Sequence, residues 1–127
     1  PRGQTSVLET AGNEDTHIIL RGSRFGANYR KPDVVYAAEL LREAGFEPSI
    51  MVDCSHGNSD KQPERQEEVL ASVLATRRSG CRELIGFMLE SNLKPGRQAI
   101  PADPRKLEYG LSVTDACHYR CRYCLPL

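Results

Sequence analysis

The stretch 48–56, Pro-Ser-Ile-Met-Val-Asp-Cys-Ser-His, decides how the fold is interpreted, because a short apolar run ends in a turn that carries the potential ligand His56. The same layout recurs on both sides. Upstream, His-Ile-Ile-Leu-Arg (17–21) ends at Arg21; downstream, Leu-Ile-Gly-Phe-Met-Leu-Glu (84–90) ends at Glu90. Arg21 and His56 lie 35 residues apart and His56 and Glu90 lie 34 apart, which suits one strand, one helix and two loops.

The intervals between these runs have helical periodicity. One apolar stripe follows Pro32 and ends at Gly45, and a second helix is predicted near 63–78, ending at Gly80. The stretch 94–106 contains three prolines, which predicts a long loop above the strand ends. The fold class is therefore α/β with parallel strands, either as an open layer or as part of a (β/α)8 barrel, which needs about 250 residues.

Composition narrows the function classes. The chain of 127 residues is 39% hydrophobic and 27% charged with a formal net charge of zero, which gives no electrostatic reason to expect nucleic acid or membrane binding. We find no apolar run of about 20 residues and no signal-peptide layout. A cytoplasmic protein is expected. Five cysteines, three of them within 117–124, favour reduced thiols or metal ligation over a disulfide framework.

Four side chains are candidates for one site, because the C-terminal ends of parallel strands meet at one edge of a sheet. His56 suits a divalent transition metal, although a histidine bonded within a turn is an equal alternative. Glu90 follows an apolar run and needs a compensating cation. Asp115 offers a second carboxylate or caps a turn. Arg21 suits a phosphate or forms a surface ion pair.

The residues around these positions resemble the class I 3-deoxy-D-arabino-heptulosonate 7-phosphate (DAHP) synthases, specifically their C-terminal portion. The resemblance covers about residues 4–117, in order. It is carried by Gly-Asn-Glu-Asp-Thr-His-Ile-Ile-Leu-Arg-Gly (12–22), Asp-Cys-Ser-His-Gly-Asn-Ser-Asp-Lys-Gln (53–62), Gly-Phe-Met-Leu-Glu-Ser-Asn-Leu (86–93) and Tyr-Gly-Leu-Ser-Val-Thr-Asp-Ala-Cys (109–117).

The resemblance implies a partial TIM barrel over residues 1–117, made of the last three or so βα units of a (β/α)8 barrel. It implies a metal-dependent transferase that condenses phosphoenolpyruvate with erythrose 4-phosphate at the start of aromatic amino acid biosynthesis, the shikimate pathway. His56, Glu90 and Asp115 are then ligands of a divalent metal ion of the Mn, Fe, Co or Zn type. Arg21 is then the group that binds the phosphate of phosphoenolpyruvate, and Arg21 and His56 are the catalytic candidates.

The resemblance also implies missing parts. The family's fourth metal ligand is a cysteine in the first half of the barrel, which supplies a lysine and further arginines too. Cys54 and Cys81 do not match that position and are expected to be small buried residues. We therefore expect an incomplete site in this chain, which forms a homo-oligomer or needs the N-terminal half as its partner.

A second resemblance begins where the first one ends. Cys117, Cys121 and Cys124 have the CxxxCxxC spacing that holds a [4Fe-4S] cluster in radical S-adenosylmethionine enzymes, and residues 111–126 resemble the GTP cyclase of molybdopterin synthesis. Only three residues follow Cys124. Residues 118–127 are therefore expected to form a cysteine-rich tail. The alternatives to a synthase are a noncatalytic metal or Fe-S binding module and a truncated radical enzyme segment.

Overall fold

The computed structural model describes residues 3, 5, 7–13 and 15–119. The described part contains two α-helices and five strands. In chain order they are β1 (Ile18–Leu20), α1 (Lys31–Glu43), β2 (Ile50–Asp53), α2 (Gln66–Arg78), β3 (Leu84–Met88), β4 (Ser91–Asn92) and β5 (His118–Tyr119). A 3₁₀ turn at Pro63–Arg65 precedes α2. A second 3₁₀ turn, at Pro104–Lys106, lies within the long loop after β4.

The first three strands form one parallel sheet in the order β1-β2-β3. Ile18 of β1 lies opposite Ile50 of β2, which lies opposite Leu84 of β3. One step further Met51 pairs with Gly86, so Ile85 is an extra residue that bulges the edge strand. The predicted α/β class with a parallel sheet is confirmed, and all three strands end at the same edge.

The hydrophobic core lies between this sheet and the two helices. Alternate strand residues supply one side of it and the apolar stripes of α1 and α2 supply the other, as the helical periodicity predicted. Tertiary packing of these stripes supplies most of the stability of helices of this length. The largest fully buried apolar side chains are Val34, Ile50, Val52, Val69, Leu70, Val73 and Leu84.

The opposite face of the sheet is apolar but is not covered by the described part of the chain. Ile19, Met51 and Gly86 are neighbours across the three strands on this face. Ile19 is 39% exposed, and a Cβ added to Gly86 would lie 3.2 Å from the Cε of Met51. Strands with apolar residues on both faces are typical of parallel sheets that are covered on both sides.

The segment after β4 folds back over the C-terminal edge of the sheet. Gly96 and Cys117 exchange backbone hydrogen bonds at 2.9 and 3.1 Å, and the Gln98 N–H donates to the Ser112 carbonyl oxygen at 2.7 Å. β5 then pairs in parallel with β4. The stretch 94–106, predicted to be a long loop, contains one 3₁₀ turn and isolated bridges at Gly96 and Arg97. The pairing of β4 with β5 lies outside this stretch and was not predicted, because two-residue strands from distant segments leave no periodic pattern. Neither helix in the described residues is long and apolar enough to cross a lipid bilayer.

Candidate metal centre

The turn that follows β2 positions His56. His56 has φ +49°, and Asp60 and Lys61 have φ +55° and +57°, so three non-glycine residues adopt the left-handed conformation within six positions. This conformation is uncommon outside glycine and is retained where surrounding contacts over-determine it. The Lys61 N–H donates to the His56 carbonyl oxygen at 2.7 Å and closes the turn.

Asn58 ties this turn to the end of β1. Its buried side chain donates to the carbonyl oxygens of Leu20 at 2.9 Å and Asp53 at 2.8 Å, and its Oδ1 accepts the backbone N–H of Asn28 at 2.8 Å. The Asn58 amide therefore satisfies backbone groups from two strand ends and the loop after β1 at once. Buried networks of this kind rigidify the elements they join.

Two glycines allow the loops after β1 and β2 to touch. A Cβ on Gly22 would lie 2.5 Å from the backbone carbon of Gly57, and Gly22 has φ +76°. The Gly57 N–H donates to the carbonyl oxygen of Arg21 at 3.0 Å. This close approach sets the separation between Arg21 and His56.

Three of the four predicted side chains converge above the strand ends. His56 Nε2 lies 3.4 Å from Glu90 Oε1 and 3.5 Å from Asp115 Oδ2, and the three ligand atoms lie within 4.8 Å of one another. A tetrahedral ion with bonds of about 2.1 Å holds its ligand atoms about 3.4 Å apart. The two histidine–carboxylate distances therefore fit a single divalent ion of the transition series.

Glu90 is held in place through both its side chain and its backbone. Ser55 Oγ donates to Glu90 Oε2 at 3.1 Å. The buried amide of Gln66, at the start of α2, accepts the Glu90 N–H at 2.9 Å and donates to the Glu90 carbonyl oxygen at 3.1 Å. This pair of bonds fixes the end of β3 against α2. Asp115 is the most exposed of the three, at 51% of its side chain.

Arg21 contacts both His56 and the carboxylate of Asp53, a residue to which the sequence analysis gave no role. Arg21 Nε donates to Asp53 Oδ2 at 3.0 Å, and its Nη2 lies 2.7 Å from His56 Nε2. Asp53 Oδ2 also lies 2.8 Å from His56 Nδ1. The signal available was an aspartate as the last residue of an apolar run, three positions before the histidine. We assigned that aspartate no role.

A cavity of about 250 Å³ opens beside the metal candidates. His56 and Asp115 line it together with the cationic side chains of Lys61 and Arg97. Lys61 belongs to the strained turn and Arg97 to the stretch paired with Ser112. The sequence analysis did not single out either cation. The arrangement can hold an anionic ligand within reach of a cation bound by the three ligands.

The family model described as "DAHP synthetase I family" matches residues 2–121 of the chain. The chain belongs to the DAHP synthetase I family. Among curated proteins, it is 47% identical over 115 residues to the Tyr-sensitive phospho-2-dehydro-3-deoxyheptonate aldolase of Escherichia coli (strain K12), which covers 91% of this chain and 32% of that protein. A putative phospho-2-dehydro-3-deoxyheptonate aldolase of Schizosaccharomyces pombe is 45% identical over 117 residues, again covering 91% and 32%.

A solved structure gives the same relationship. The phospho-2-dehydro-3-deoxyheptonate aldolase of Francisella tularensis SCHU S4 matches with a TM-score of 0.77 and 40% identity, over 88% of this chain and 32% of that one. This member of the DAHP synthetase I family therefore spans about a third of the length of the relatives it matches.

The cysteines of this DAHP synthetase I chain lie in different surroundings. Cys54 and Cys81 are buried, as expected of small core residues, and burial raises the pKa of the Cys81 thiol, with a contribution from its hydrogen bond to Glu83. Cys117 is partly exposed, with its Sγ 3.7 Å from the Asp115 carbonyl oxygen. Cys121 and Cys124 lie outside the described residues. The cluster prediction for the three terminal cysteines stays a prediction.

Proposed function

We propose that the chain forms part of the active site of a phospho-2-dehydro-3-deoxyheptonate aldolase, which condenses phosphoenolpyruvate with erythrose 4-phosphate. The single observation that supports this proposal most strongly is the convergence of His56, Glu90 and Asp115 at spacings that fit one divalent ion. Membership of the DAHP synthetase I family is independent of that geometry and agrees with it.

In this proposal His56, Glu90 and Asp115 hold the metal, which when bound supplies Lewis-acid polarisation of the aldehyde oxygen of the sugar phosphate. Arg21 binds the phosphate of phosphoenolpyruvate through guanidinium N–H groups that do not face Asp53. Lys61 and Arg97 add positive charge on the cavity wall. These cations hold the two anionic substrates close together, which lowers the entropic barrier to their reaction.

The proposed fold of the complete enzyme is a (β/α)8 barrel to which residues 1–117 contribute the last three or so units. The uncovered apolar face at Ile19, Met51 and Gly86 supports this, because such a face becomes the interior when a parallel sheet closes. Three protein ligands leave a tetrahedral ion open for a fourth. A cysteine from the first half of the barrel is the ligand that the family resemblance supplies.

The proposal is tested by metal binding to the purified chain. We expect titration calorimetry to find one site for Mn²⁺ or Zn²⁺ that is lost in Glu90→Gln and in His56→Ala. Asp60→Asn is the matched control, because Asp60 lies in the same turn with its side chain 78% exposed. An affinity that is equal in all four chains would contradict the proposed site.

A second candidate function is a noncatalytic metal-binding module. It is favoured by one observation, namely that one potential ligand atom each from His56, Glu90 and Asp115 lies within 4.8 Å of the other two. The CxxxCxxC spacing of Cys117, Cys121 and Cys124 extends this candidate to an Fe-S cluster. Anaerobic reconstitution followed by addition of dithionite and S-adenosylmethionine tests it. We expect no 5′-deoxyadenosine, and formation that depends on Cys121 would favour radical chemistry instead.

A further inference from the structure

We propose that Asp53 is a positioning residue that selects the metal-binding tautomer of His56 and holds Arg21 beside it. The inference rests on the proposed metal site. Asp53 is the last residue of β2, and its carboxylate is 2% exposed. It accepts three hydrogen bonds: Oδ2 accepts from Arg21 Nε at 3.0 Å and from His56 Nδ1 at 2.8 Å, and Oδ1 accepts the Ser55 N–H at 2.8 Å.

The tautomer of His56 follows from its two neighbours. A guanidinium has only donors, so Nε2, at 2.7 Å from Arg21 Nη2, is the acceptor in that contact. The proton of the neutral ring is then on Nδ1 and points to Asp53 Oδ2. Nε2 is then the unprotonated ring nitrogen, 3.4 Å from Glu90 Oε1 and 3.5 Å from Asp115 Oδ2. Its single lone pair, which here accepts the Arg21 N–H, is the one that a metal ion would take over. Carboxylates that orient metal-binding histidines in this way typically contribute 10–100-fold to metal affinity.

The backbone of Ser55 makes the two oxygens of the Asp53 carboxylate inequivalent. Its backbone N–H requires an acceptor at the Oδ1 position. An asparagine at position 53 would keep its oxygen there and place its NH₂ where Oδ2 now lies. That NH₂ would face the Arg21 Nε–H, donor against donor, and would itself donate to His56 Nδ1. The ring must then carry its proton on Nε2, which removes the lone pair that binds the metal.

The experiment compares Asp53→Asn with two other chains. Asp60→Asn is the matched carboxylate-to-amide control, since Asp60 is exposed in the same turn. Arg21→Met separates the roles of Arg21 and Asp53, because it removes the contact to Nε2 and leaves the Asp53–His56 bond. Long-range ¹H–¹⁵N NMR at pH about 8, where an ordinary histidine is neutral, identifies the tautomer of His56. A His56→Ala chain assigns its signals, and Zn²⁺ calorimetry measures affinity.

We expect the Nδ1–H tautomer in the unmodified chain, in Asp60→Asn and in Arg21→Met, and the Nε2–H tautomer in Asp53→Asn. Zinc affinity should fall about 10–100-fold in Asp53→Asn and stay unchanged in Asp60→Asn. If Asp53→Asn does not fold, the unmodified chain and Arg21→Met still decide the tautomer. An Nε2–H ring in either of them would overturn the proposal, as would unchanged zinc affinity in a folded Asp53→Asn chain.

Failure of the metal site would look different from failure of this inference. A chain whose His56 has the Nδ1–H tautomer but which binds no metal would contradict the proposed function while leaving the orientation by Asp53 intact. A chain that binds zinc at His56 with the same tautomer and affinity after Asp53→Asn would support the function and contradict the positioning role.

Discussion

At the scale of single residues, the site depends on backbone conformations that residue types only partly indicate. Arg21, His56 and Glu90 were identified from their positions after apolar runs and Asp115 from its place after the long loop, and the structure brings the four together. Asp53 was missed because its role requires the turn to bring His56 back over it, with His56 at φ +49°. No short-range pattern in the sequence predicts a left-handed histidine. The metal-ligand roles stay proposals.

Gly22→Ala should destabilise the chain by about 2 kcal/mol or more. The new Cβ would lie 2.5 Å from the backbone of Gly57, at φ +76°, and left-handed backbone with a side chain already costs about 1–2 kcal/mol. Gly45→Ala is the control, because Gly45 has φ +84° but open space around its Cα. Urea unfolding measures both free energies, and equal losses would show that the contact with Gly57 contributes nothing.

At the scale of elements, sequence periodicity was informative where a helix or strand buries one face. The stretches 17–21, 48–56 and 84–90 contain β1, β2 and β3, and Pro32 lies in the first turn of α1. β4 and β5 were not predicted, because each has two residues and their pairing joins Ser91 to His118. Such contacts depend on where the whole chain returns, and local propensity contains no information about that.

Gln66→Leu should loosen the link between α2 and β3. The substitution replaces the polar amide by an apolar side chain of similar size and leaves the Glu90 N–H without its acceptor, which costs about 1–3 kcal/mol when the group stays buried. Zinc affinity should fall as well, because Glu90 loses its fixed backbone. Gln62→Leu, at an exposed position before the 3₁₀ turn, controls for the change of residue type. Unfolding and calorimetry that match the control would refute the link.

At the scale of the whole molecule, the sheet has an apolar face that the described residues leave uncovered. The side chain of Ile85, in the bulge of the edge strand, is 55% exposed. Charge and composition did not predict the uncovered apolar face, since 39% hydrophobic content is ordinary for a globular protein. The order of the elements indicated a parallel α/β layer, and β1, β2 and β3 form one.

The 127-residue chain by itself should be a weak or inactive synthase. Groups that act as a unit lose most of their effect when an essential member is missing, and in the proposed barrel the fourth ligand and further cations lie outside this chain. Consumption of phosphoenolpyruvate that depends on both metal and erythrose 4-phosphate measures this. Turnover in the range of typical complete enzymes, about 1–1000 per second, would mean that other residues complete the site.

Asn58 has a consequence for how a ligand is received. Its three hydrogen bonds, together with the Gly57–Arg21 bond, make the loops after β1 and β2 one mechanical unit. We expect the backbones of Arg21 and His56 to be ordered together by these bonds, so that their conformational freedom is lost during folding. A ligand that contacts both Arg21 and His56 then causes a smaller loss of conformational entropy when it binds, so that a larger part of its contact energy appears as affinity.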